Sequence, residues 1–159
     1  MASTGGNDIY VDALGGMYRV YERSVEVPIR ISKSADEQAR LRRLERWPRE
    51  SGLSLVLDES GSNFNKLMQM YASDYGLELG EKKWSADTSG DEVRAGLEVP
   101  LLKAGQVKGR AVMEARIPKS PTGEEGNNYV YTAKVTYYIE LEDDVLAEGA
   151  TSGMVEFTL

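Results

Sequence analysis

"YVYTAKVTYYIEL", residues 129–141, is the longest strictly alternating run in the chain. Tyr129, Tyr131, Ala133, Val135, Tyr137, Ile139 and Leu141 take every second position. Successive side chains of an extended backbone point to opposite faces, so this spacing predicts a strand with its odd-numbered side in a core. Working backwards, Val93, Ala95, Leu97, Val99 and Leu101 repeat the pattern on odd positions. So do Val107, Gly109, Ala111, Met113, Ala115 and Ile117, with "KAGQ" (103–106) as a hairpin between the two runs. "PKSPTGEEGNN" (118–128) reads as a polar loop, and Val155, Phe157 and Leu159 as a last strand. The second half is therefore a run of antiparallel strands.

The first half is mixed. Alternation begins at Met17 and is clean at Val25, Val27, Ile29 and Ile31, with Pro28 marking an edge strand or a bulge. "SADEQARLRRLERWPRE" (34–50) follows. Ser34 and Glu37 have capping-box spacing, which starts a helix at Ser34, and Pro48 should stop it near Trp47. Leu41, Leu44 and Trp47 share its apolar face. Leu53, Leu55 and Leu57 then alternate as a second strand. In "SNFNKLMQMYASDYG" (62–76), Phe64, Leu67, Met68, Tyr71 and Tyr75 recur at helical spacing, with Ser62 as cap and Gly76 past the end. Residues 77–90 show little period and read as a long loop.

The expected fold is α+β, with two helices packed on one face of a mixed, mostly antiparallel sheet of about six strands in the order β-α-β-α-β-β-β-β. A strand at 25–31 joined through one helix to a strand at 53–58 would make a right-handed parallel crossover. Residues 1–16, with four glycines, read as a flexible N-terminal arm, and residues 17–159 as a single domain.

Composition limits the chemistry. The 159 residues include no His and no Cys, which removes the usual bases, the thiol nucleophile and the N/S metal ligands. Zinc hydrolases, His-dependent triads, haem and iron–sulfur proteins are excluded. No glycine-rich phosphate loop is present. The net charge of −7 favours solubility and opposes non-specific attraction to phosphate, no apolar run is long enough to span a membrane, and no signal peptide is visible. "ASTGG" suits a cytoplasmic start or the trimmed start of an exported precursor, so compartment does not follow. No cofactor and no metal are expected.

Five arginines in residues 40–49 invite a nucleic-acid reading, but no second basic patch, stacking aromatics or module signature accompanies them. Asp36 with Arg40 and Glu45 with Arg49 have i, i+4 spacing, and such pairs are worth about 0.2–0.5 kcal/mol each. Arg42 can share Glu45, which leaves Arg43 and Arg46 as charges without a local partner, suited to an acidic protein partner. Ser62 with Lys66 is better explained by capping than by a lysine base. The acidic run Glu140, Glu142, Asp143 and Asp144 lacks calcium-loop spacing and reads as a solvated hairpin end.

The even-numbered strand face carries Tyr18, Val20, Val112, Val130, Tyr138 and Met154 among Arg110, Glu114, Lys134 and Thr136, the mixed character of an interaction surface. The expected function is a non-enzymatic protein-binding or assembly module in a larger complex, with cell-envelope and virion assemblies among the candidates. Its expected contacts are Arg42, Arg43, Arg46, Tyr18, Val112, Val130 and Tyr138. Its partner would be a protein, acidic or a second copy of the chain, and not nucleic acid. The alternatives are a ligand-binding domain with a pocket lined by Tyr129, Tyr131, Tyr137 and Met113, and a carboxylate- or lysine-dependent enzyme.

Overall fold

The three alternating runs of the second half form long antiparallel strands at the centre of one sheet. The computed structural model of the chain describes residues 16–147. Its elements are β1 (Met17–Ser32), α1 (Glu37–Ser51), a 3-10 turn (Gly52–Ser54), α2 (Phe64–Asp74), β2 (Glu78–Leu79), β3 (Lys83–Asp87), β4 (Glu92–Lys103), β5 (Gln106–Pro118), β6 (Gly123–Glu125) and β7 (Asn128–Glu142). A helical turn follows at 143–147. The sheet order is β1-β7-β5-β4-β2, with β3 also on β4 and β6 also on β7. Nearly all of the expected N-terminal arm and the expected strand at Val155, Phe157 and Leu159 lie outside the described residues.

The α+β class and the placement of both helices on the odd-numbered face agree with the sequence. "KAGQ" closes a two-residue hairpin in which Ala104 (φ 52°) and Gly105 (φ 80°) both take the left-handed conformation that matches strand twist. Odd-numbered Val93, Leu97, Val99, Leu101, Ala111, Met113, Ile117 and Tyr131 are buried under Leu44 and Trp47 of α1 and Phe64, Leu67 and Met68 of α2. The Tyr137 ring lies 5.1 Å from that of Phe64, and its hydroxyl donates to the Gly52 carbonyl at 2.7 Å. That bond satisfies a polar group which would otherwise be buried unpaired.

Several local expectations are corrected. All pairings among the described residues are antiparallel, because residues 53–58 form no strand and the expected parallel crossover is not made. Leu57 is buried while Val56 is 64% exposed, so the alternation there is that of an irregular cover over the core. The segment is held by its own turn: Leu57 N–H donates to the Ser62 carbonyl, and the Asp58 carboxylate accepts from Ser60 and Ser62. The cap of α1 is Asp36, whose side chain accepts from Ala39 N–H at 2.8 Å; the Ser34 hydroxyl pairs with that of Ser32 instead. The helix runs through Pro48 to Ser51, with Trp47 and Pro48 both buried. Asn63, one residue after Ser62, caps α2. The loop expected over 77–90 contains β2 and β3, both paired to β4.

Two bulges bend one end of the sheet. On β1, the register passes from Arg19 opposite Glu140 to Tyr21 opposite Ile139, leaving Val20 as the extra residue. On β5, Leu101 faces Gly109 while Leu102 faces Val107, so Lys108 is extra and Val107 is turned out to 50% exposure. Among the described residues β1 is bonded on one side only, to β7. Pro28 is tolerated there because an edge strand needs ladder donors on one side alone.

Candidate interaction face

The even-numbered residues of β4, β5 and β7 form a face that none of the described helices covers. Register places Glu22, Tyr138, Val112, Glu98 and Lys83 in one row across β1, β7, β5, β4 and β3. The next row towards the bulged end is Arg19, Glu140, Arg110 and Pro100. On the other side of the first row lie Ser24, Thr136, Glu114, Gly96 and Ser85.

Although they point away from the helices, Glu140, Val112 and Tyr138 are only 2%, 6% and 9% exposed. Neighbouring side chains of the same face cover them. Arg19 donates to Glu140 through Nε at 3.3 Å and Nη2 at 3.0 Å, and Arg110 donates through Nε at 2.7 Å. The Arg19 guanidinium lies 3.7 Å from the centroid of the Tyr138 ring, a cation–π contact, and also reaches Glu22 at 3.1 Å. Burial opposes the charge on Arg110, but the hydrogen bond and attraction of Glu140 outweigh it and the guanidinium is held more firmly protonated than usual. Burial also pushes the Tyr138 hydroxyl up to about 12, with Glu114 adding to the effect. The result is a rigid ionic and aromatic platform made of side chains from three strands. Glu140 is thus not part of a solvated end; Asp143 and Asp144 are exposed and Glu142 is half-buried, with Glu142 and Asp144 both near Lys108. Among the described residues no three carboxylates converge as a metal site would need.

Of the expected contacts, Val112 and Tyr138 are brought together as cross-strand partners. Val130 shares the face but lies eight residues along β7 from Tyr138, roughly 27 Å away at strand rise, beside β6. The bulge at Val20 moves Tyr18 into register with Leu141, onto the helix side of the sheet. Arg42, Arg43 and Arg46 are exposed on α1, across the sheet from this platform. Arg46 lies 3.7 Å from Glu50, correcting the expectation that it lacks a local partner. Arg42 and Arg43 make no ion pair among the described residues. Arg40 bonds the Tyr131 hydroxyl and the Ala35 carbonyl, and Arg49 stacks over Trp84, so neither takes the acidic partner that i, i+4 spacing suggested.

Tyr137 and Met113 fill the core, and Tyr131 is buried too, its hydroxyl accepting from Arg40 at a 300 Å³ hollow that both residues line. A larger concavity of about 510 Å³ lies on the outer face, walled by Arg94, Arg116, Lys134 and Glu114 and floored at Gly96. Sequence parity alone located the face. What it missed was the Arg19–Glu140–Arg110 cluster, because the buried carboxylate there takes its cations from two other strands, 121 and 30 residues away in sequence. No protein family matches the chain, and no curated protein or solved structure matches it either.

Proposed function

We propose that this chain is a non-enzymatic protein-binding module that joins a larger assembly through the outer face of its sheet. The supporting observation is the platform of Val112, Tyr138 and Glu140, held rigid by Arg19 and Arg110 on a face that no described helix covers. Val112 and Tyr138 are the covered base of this face and Arg19, Arg110, Glu98 and Glu114 its charged surface, so that a partner meets arginines already held in place, a residue type that carries much of the binding energy in protein interfaces. The absence of His and Cys supports a binding role over a catalytic one. Arg42 and Arg43, on the opposite side of the sheet, form at most a separate contact.

Exposed residues flanking the platform allow a test that leaves the core intact. Glu98→Arg and Glu114→Arg should abolish capture of the native partner, or self-association in sedimentation, while Arg42→Glu with Arg43→Glu leaves it unchanged. If both outer-face reversals retain every partner, the platform is not the interface.

A further inference from the structure

The concavity at the other end of the outer face has an arrangement that the protein-binding reading does not need. Arg94, Arg116 and Lys134 stand directly opposite one another on β4, β5 and β7. Like charges in facing positions of a sheet repel, and native sheets place opposite charges there instead. All three are exposed, so nothing in the packing of the core requires them. A carboxylate stands at each end of the row, Glu26 opposite Lys134 and Asp87 opposite Arg94, but neither makes an ion pair with it among the described residues. Arg116 donates to Glu92 Oε1 through Nε at 3.1 Å and Nη2 at 2.9 Å, and Arg94 lies 3.6 Å from the same oxygen. One carboxylate thus serves two guanidinia, and Lys134 makes no ion pair among the described residues. Asp87, opposite Arg94, is engaged by the hydroxyl and N–H of Ser89, which hold its carboxyl below the usual range.

The three cations line one side of the 510 Å³ concavity, a volume in the range of small-ligand sites. Its floor is Gly96, where a Cβ would come within 3.2 Å of Ser85 Oγ and project into the hollow. The side chains of Ser85 and Thr136 flank that floor. Cations outnumber carboxylates in this lining, the reverse of a chain whose net charge is −7. We propose that the concavity binds a small ligand bearing a phosphate or carboxylate group. The oxyanion sits between Arg94, Arg116 and Lys134, and the remainder of the ligand lies over Gly96 towards Ser85 and Thr136. An anion there relieves the repulsion within the row and accepts charge-assisted hydrogen bonds from it. Glu114, on the same wall, acts against the anion and turns the uncharged part of the ligand towards itself.

The test is a two-dimensional amide NMR titration of the full chain with inorganic phosphate and with malonate, against chloride at matched ionic strength. Saturable shifts at Gly96, Ser85 and Thr136 are expected with one or both oxyanions and not with chloride; the stronger of the two names the source class. Lys134→Gln should weaken binding roughly tenfold, as expected for one lost charge-assisted hydrogen bond. Glu114→Gln should tighten it severalfold. Lys134 is exposed, so its variant keeps the native spectrum elsewhere. Absence of saturation with both oxyanions, or equal affinity in Lys134→Gln, overturns the proposal. Partner capture by Lys134→Gln reports separately on the protein interface.

Discussion

Glu140→Gln is the most informative single substitution, because it keeps the shape of the side chain and removes only its charge. The wild-type carboxylate is 2% exposed and accepts three hydrogen bonds from two guanidinia. Removing one partner of a buried ion pair costs about 3–5 kcal/mol, chiefly because the remaining charge is left uncompensated. Here the Arg19 and Arg110 side chains are 18% and 33% exposed and recover some hydration at the rim. Their partial access brings the expected loss down to about 2–4 kcal/mol. For a chain of this size that corresponds to a fall in Tm of roughly 5–15 °C. Urea unfolding followed by the fluorescence of Trp47 and Trp84 measures it, with the m-value unchanged if the native fold is kept. The triple change Arg19→Met, Arg110→Met, Glu140→Leu supplies the contrast. Apolar groups replacing a whole buried cluster are neutral or stabilising in other folds, so the triple variant should regain most of the loss. A Glu140→Gln variant within about 0.5 kcal/mol of wild type, the range of an ordinary surface change, would refute the cluster's role.

Asp36→Ala should cost about 0.5–2 kcal/mol by freeing the first-turn N–H groups of α1, whereas Ser34→Ala leaves thermal stability nearly unchanged; equal effects would restore Ser34 as the cap. Gly109→Ala puts a Cβ 2.5 Å from the Glu140 carbonyl oxygen and 2.7 Å from Leu141 Cδ2, and since backbone cannot swing aside it should destabilise by about 1–3 kcal/mol in denaturant unfolding. Absorbance titration of the phenols should show Tyr138 ionising near pH 12 and Tyr137 later still, both raised mainly by burial. Because the folded state holds those protons more tightly, the stability is fully present below the ordinary phenol value of about 10 and is lost as pH rises beyond it. Ionisation of Tyr137 and Tyr138 near pH 10 without unfolding would contradict their burial.

Where side-chain alternation coincides with a hydrogen-bonded ladder, the fold is legible in the residues: β4, β5 and β7 keep their odd positions inward and place both helices on that side. Leu53, Leu55 and Leu57 show the limit, since an irregular segment that touches the core with every second residue has the periodicity of a strand and no partner. Pro48 shows another. A proline lacks only one N–H, and burial of Trp47 and Pro48 together keeps α1 helical beyond it. At the interaction face, Val112 and Tyr138 follow from parity on unbroken strands, whereas Tyr18 is displaced by a one-residue bulge that no composition marks.

Among the described residues, the pairing of the first strand with the last fixes the order in which the sheet can complete itself. Ser32 meets Asn128 and Met17 meets Glu142, so β1 leaves the ribosome about a hundred residues before its partner exists. At about 5–20 residues per second it waits roughly 5–20 s as an unpaired strand of sixteen residues. Pro28 and the charges at Arg23, Glu26 and Arg30 are residues of the kind that disfavour pairing of an open strand edge with another chain during that interval.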